Sequence, residues 1–213
     1  MGTAALLAVA VAGVILPEQL WALDGGRFYL VSILCAIVVA ALAAAGGPPG
    51  GPFFNAALSL DAVLRSGLGA DRAAAHTGAQ IAGACLGTMG SQAAFNLDAV
   101  QAPPETALSS AAIAAEFAAT FFFVFVIGLL NLKRRNAILR GTIAGLAFFL
   151  LNALTPLMSF ANPAATVART LTSNSLGLST YQAILLVAAQ VLGAAVASSV
   201  LARWAREKER RRL

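Results

Sequence analysis

The chain has 213 residues, 59% of them hydrophobic and 11% charged, and its mean hydropathy of +0.81 excludes a soluble domain of this length. The net charge of +5 does not indicate nucleic acid, because the basic residues lie in short segments directly beside apolar stretches. Cys35 and Cys85 both fall inside such stretches, where thiols act as small apolar groups, so no disulfide framework is implied.

In chain order, six nearly charge-free stretches predict six membrane-spanning helices: Ala4 to Leu16, Phe28 to Ala45, Ala74 to Ala94, Ala107 to Leu132, Gly141 to Leu154 and Ala183 to Ala202. Most approach the roughly 20 residues that a crossing needs, the first and fifth being the shortest. The first is read as a span rather than a cleaved signal, since no basic segment precedes it and further spans follow. Between the second and third, Gly46-Gly47-Pro48-Pro49-Gly50-Gly51-Pro52 cannot be helical and feeds a short helix over 55–66. Between the fifth and sixth, Pro156 to Ala161 feeds a second short helix over 162–171 in the same way.

Each short helix opens on an asparagine, in Phe-Phe-Asn55-Ala-Ala-Leu and Phe-Ala-Asn162-Pro-Ala-Ala, 107 residues apart. A second landmark, Ala-Gln80-Ile-Ala-Gly-Ala, recurs as Ala-Gln190-Val-Leu-Gly-Ala at an offset of 110. Two landmarks at nearly one offset divide the chain into repeats over 1–106 and 107–213, and three spans per repeat require the second to be inverted. The predicted fold is an all-α membrane protein with six transmembrane helices and two re-entrant half-helices meeting near the midplane. Irregular backbone at membrane depth is tolerated where it is buried in protein or lines a water-filled path, which points to a pore or a substrate site. Glycines and alanines at four-residue spacing, such as Gly141 and Gly145, predict close helix packing.

With alternating spans, twelve of the fourteen basic residues share one side, including the tail 203–213, which places both termini in the cytoplasm. That tail is read as a solvated topology anchor, with acidic lipid as the other candidate. His76, the single histidine, reads as interfacial. No His, Cys or carboxylate cluster has metal-ligand spacing and no Ser or Cys has a general base nearby, so neither enzyme chemistry nor a cofactor is expected.

The ordered motifs resemble the aquaporin and aquaglyceroporin (major intrinsic protein) family across essentially the whole chain. The second Asn-Pro-Ala motif is intact as Asn162-Pro163-Ala164; the first is degenerate, Asn55-Ala56-Ala57. Glu116-Phe117 followed by Thr120, the Gly47 and Gly51 approach to Asn55, and the segments holding Gln80 and Gln190 extend the match. Proline at a first helical position mainly pre-organises the turn, so Ala56 should serve. The resemblance implies a structural Glu116 that bonds the re-entrant loop, with a proton relay as the other reading. It aligns Gly2-Thr3 with the family's Gly-Thr, so a preceding Glu-Phe pair is expected upstream of Met1.

The family's outer constriction is implied to fall at Cys35, at Asn152 or its neighbour Leu151, at Ser159 or Phe160, and at Ala165, where the family usually carries arginine. A filter without that guanidinium is wider and has fewer donors. Arg169, one turn beyond Ala165, either guards the outer mouth or else snorkels to the extracellular interface or pairs with a loop carbonyl. The resemblance implies a homotetramer in the plasma membrane that passes small uncharged solutes such as water, glycerol, urea, ammonia, peroxide or metalloid acids. A coupled inverted-repeat transporter and a closed-pore structural homologue are the alternatives.

Overall fold

The structure, a computed structural model, describes residues 26–45, 54–132 and 136–211. The predicted first span, Gly47, Gly51 and the basic run Lys133 to Arg135 lie outside the described residues.

All described elements are helical: α1 (Gly26–Ala45), α2 (Ala56–Ser66), α3 (Ala70–Ala94), α4 (Ser110–Leu132), α5 (Ala137–Leu154), α6 (Pro163–Ala168) with a 3₁₀ turn (Arg169–Leu171), and α7 (Thr180–Arg210). Among them α4, α5 and α7 are long and apolar enough to cross a membrane, and Tyr29–Ala45 of α1 is a shorter apolar segment. The chain is therefore an all-α protein of membrane type. Although α3 is 25 residues long, Asp71, Arg72, His76, Gln80 and Gln92 keep it from being uniformly apolar. The basic tail is not a separate segment, because α7 runs unbroken to Arg210.

The helix ends follow from local chemistry. Asn55 and Asn162 have extended backbone and accept from the amides two residues on, and Pro163 occupies the first position of α6 without sacrificing a needed donor. Ser179 and Gln182 form a reciprocal capping box that opens α7. Gly67, at φ 73°, closes α2 in a left-handed cap that a side chain would strain. Arg140 on α5 donates to the final carbonyls of α1, through Nε to Ala43 O at 2.8 Å and through a terminal nitrogen to Ala44 O at 3.3 Å.

Two helix pairings dominate the bundle, α1 on α5 and α4 on α7. Both rest on small residues. A Cβ on Gly141 or Gly145 would stand 2.6 or 2.8 Å from Ala40 O or Ala36 O, and one on Gly193 would stand 2.5 Å from Phe117 O. Such approach replaces side-chain interdigitation with backbone contact, a packing mode suited to lipid. The short helices nest inside this frame, with α2 against α7 and α3, and α6 against α3 and α7. Apolar side chains such as Ile37, Leu146, Ile184 and Leu192 remain exposed on the outside, as a lipid-facing surface requires.

Candidate functional site

The helices α2 and α6 meet at their N-termini through their two capping asparagines. Asn55 Oδ1 accepts from Ala57 N at 2.8 Å, while its Nδ2 crosses over to donate to Ala161 O at 2.9 Å. Asn162 Oδ1 accepts from Ala164 N and, across the junction, from Ala56 N, each at 3.1 Å; its Nδ2 donates to Phe54 O at 3.2 Å. Each amide thus caps its own helix and holds the carbonyl that precedes the opposite asparagine. An amide nitrogen carries two hydrogens, so one N–H of each is left without a partner among the described residues. Asn55 is 2% exposed and Asn162 fully buried, with Ala57 and Ala164 beside them equally enclosed, Ala56 slightly less, and Pro163 half-buried.

A matched pair of contacts fixes the flank of each short helix. Gln80 on α3 donates to Ser59 Oγ at 3.1 Å, and Gln190 on α7 donates to Thr166 Oγ1 at 2.8 Å. Ser59 and Thr166 each lie four residues after the local asparagine, so the two halves use the same device.

The second half adds a carboxylate. Glu116 Oε1 accepts from Ser159 Oγ at 2.8 Å and from Gln190 Nε2 at 2.5 Å. Ser159 Oγ accepts from Ala161 N at 3.1 Å, and Asn152 Nδ2 donates to Ser159 O at 2.9 Å and Phe148 O at 3.3 Å. Glu116, Asn152, Ser159 and Gln190 therefore form one network that sets the loop before Asn162. Thr120 Oγ1, Asn152 Oδ1 and Gln190 Oε1 are buried around it without a hydrogen-bond partner among the described residues.

The remaining outer-constriction candidates are packed in the core. Cys35, Phe160 and Ala165 have no exposed surface and belong to one apolar cluster that also holds Leu151, Phe148 and Met158. Phe160 meets Phe148 edge-on, with ring centroids 5.9 Å apart, and lies under the Arg169 guanidinium, 5.4 Å from its centre. Arg169 is 2% exposed and fans its nitrogens over three carbonyls, with Nε donating to Leu176 O at 2.6 Å and the terminal nitrogens to Leu157 O at 2.8 Å and Met158 O at 3.4 Å. That fan secures a loop in which Met158 and Ala161, neither a glycine, hold positive φ of 49° and 46°. Of the two sequence readings of Arg169, the geometry is that of a loop clamp.

One cluster was not anticipated from sequence. Arg65 grips Asp61 through two nitrogen to oxygen contacts of 2.6 Å, and Ser198 Oγ on α7 donates to Asp61 Oδ1 at 2.7 Å. Gly128 on α4 makes room for it, since a Cβ there would stand 2.8 Å from the Arg65 guanidinium. The four-residue spacing of Asp61 and Arg65 was the available signal. His76 is half-buried near the start of α3, and no group of three or more His, Cys, Asp or Glu able to hold a metal occurs among the described residues. No family model matches the chain, and no curated protein matches it.

Proposed function

We propose that this protein is a passive transmembrane channel for water and small uncharged solutes, similar to the aquaporin and aquaglyceroporin family. The observation that carries the reading is the reciprocal bonding of Asn55 and Asn162 where α2 and α6 meet end to end. In this reading the two short helices are re-entrant and belong to inverted repeats of three spans, which the matched Gln80–Ser59 and Gln190–Thr166 contacts support. Among the described residues the junction offers one unpaired amide N–H from each asparagine, between two helix N-termini that carry partial positive charge. A neutral solute exchanges hydrogen bonds with water for bonds with those donors, while a cation meets the wrong sign and loses its hydration.

Selection among neutral solutes is assigned to Cys35, Asn152, Ser159 or Phe160, and Ala165. None brings a freely projecting charge, so the proposed filter suits glycerol-like molecules, urea, ammonia, peroxide or undissociated metalloid acids as well as water. The protein acts without enzyme chemistry or cofactor, as a homotetramer in the plasma membrane with both termini cytoplasmic.

Stopped-flow light scattering on proteoliposomes tests this directly, with water, glycerol and urea gradients applied to wild type and Ala165→Arg. Wild type is expected to pass glycerol or urea well above empty liposomes, and the variant to lose that flux. Equal flux in both removes Ala165 from the constriction. One observation favours a second reading, a membrane-structural homologue with a closed pore: Cys35, Phe160 and Ala165 expose no surface. Wild type that forms intact oligomers yet passes nothing would select it.

A further inference from the structure

Helix α7 is longer than a crossing requires. About 20 residues from Thr180 span ~30 Å, the thickness of a hydrocarbon core, which puts one membrane boundary near Leu201. The helix continues for about two and a half further turns to Arg210 and carries a distinct arrangement of charge there. Arg203, Arg206 and Arg210 are spaced by three and four residues, so they share one face. Together with Glu207 they line an open surface groove of about 360 Å³.

Among the described residues the three guanidinium groups make no hydrogen bond or ion pair, whereas their neighbours are engaged: Arg211 holds Glu207 at 2.6 Å and the Lys208 ammonium stands 5.5 Å from the Trp204 ring centre. A guanidinium presents five N–H donors in a fixed fork that matches phosphate oxygens two at a time. Three such forks on one face, with a single carboxylate among them, leave a net positive groove within about two and a half turns of the membrane boundary. Trp204, 38% exposed between Arg203 and Arg206 in sequence, supplies the amphipathic ring that favours the headgroup level.

The geometry points to a phosphate-binding site for anionic phospholipid headgroups on the Arg203–Arg206–Arg210 face. It is independent of what the protein passes and requires only that α7 crosses the membrane. A solvated topology anchor would spread its attraction over every cation of the tail; this site concentrates it on one face and needs the fork geometry of arginine.

Native mass spectrometry of the full protein released from detergent tests the site, with phosphatidylglycerol and phosphatidylcholine titrated separately. Wild type should retain phosphatidylglycerol in preference to phosphatidylcholine. Arg203→Gln with Arg206→Gln should weaken phosphatidylglycerol retention about tenfold, the scale of one charge-assisted hydrogen bond. The charge-matched pair Lys208→Gln with Arg212→Gln should change it less than about twofold, as expected for peripheral screened charge. Arg203, Arg206 and Lys208 lie within α7, where glutamine is a good helix former, so the helix is preserved. Equal loss in the two variants, or no lipid preference in wild type, overturns the proposal. Displacement of the lipid by millimolar inorganic phosphate would assign the groove to free anions and equally overturn it.

Discussion

Replacing Asp61 with leucine would strand the Arg65 guanidinium against Gly128 and Leu201, and the cost follows from the geometry of the pair. Two 2.6 Å contacts bind the partners, whose side chains are only 7% and 9% exposed, and Ser198 donates a further bond to the carboxylate. Removing one member of a buried ion pair costs about 3–5 kcal/mol, because the survivor keeps its desolvation penalty without its partner. The residual exposure of Arg65 lets it recruit some water, which places the expected loss near about 3 kcal/mol. Replacing both, as Asp61→Leu with Arg65→Met, removes the stranded charge and should cost under about 1 kcal/mol. The expected coupling energy is thus at least about 2 kcal/mol, measurable by a double-mutant cycle on denaturant unfolding in detergent micelles. Because Asp61 lies on α2, the single variants should also lower solute flux by loosening the helix that carries Asn55. A coupling energy below about 1 kcal/mol, the value for exposed pairs, would refute the claim that this is a buried, desolvated pair.

Glu116→Gln keeps an acceptor oxygen for Ser159 and Gln190 and should alter stability by less than about 1 kcal/mol, whereas Glu116→Leu abandons both donors and should cost about 2–4 kcal/mol in thermal unfolding. Equal loss in the two would mean that the charge, and not the accepting oxygen, sets the loop. Gly193→Val drives a Cβ to 2.5 Å from Phe117 O and should separate α4 from α7 at about 1–3 kcal/mol or more. Gly67→Ala meets nothing within 4 Å and should cost only the left-handed backbone penalty of about 1–2 kcal/mol. Unfolding temperatures in the reverse order would contradict the packing attributed to Gly193.

Much of this arrangement could be read from residue order because it depends on local chemistry. Asn55 and Asn162 are strong N-caps in near-repeated surroundings, and the structure begins α2 and α6 one residue after each. The four-residue spacing of Gly141 and Gly145 in α5 likewise announced close contact. What depended on distant partners was hidden. The four-residue spacing of Asp61 and Arg65 is equally that of an ordinary surface pair, and only the approach of Ser198 and Gly128 makes it a buried one. Met158 and Ala161 carry no glycine-like signal for positive φ, since their conformation is imposed by the Arg169 fan and the Ser159 turn. The extension of α7 to Arg210 was obscured by charge: a solvated tail and a helix of Ala, Arg, Glu and Lys have the same composition, and the absence of a breaker after Val200 was the better guide.

The crossed asparagine bonds have a consequence for how the chain is made. The amide of Asn55 donates to a carbonyl that leaves the ribosome 106 residues later, and the carbonyl of Phe54 waits for Asn162. During synthesis the first half therefore emerges with an unmet donor and an unmet acceptor in an apolar setting, each costly to leave unpaired. Neither half can close its own junction, so α2 reaches its final seat only when the second half arrives. Two fragments expressed together, divided between 1–106 and 107–213, should assemble, while the first alone should remain a substrate for membrane quality control.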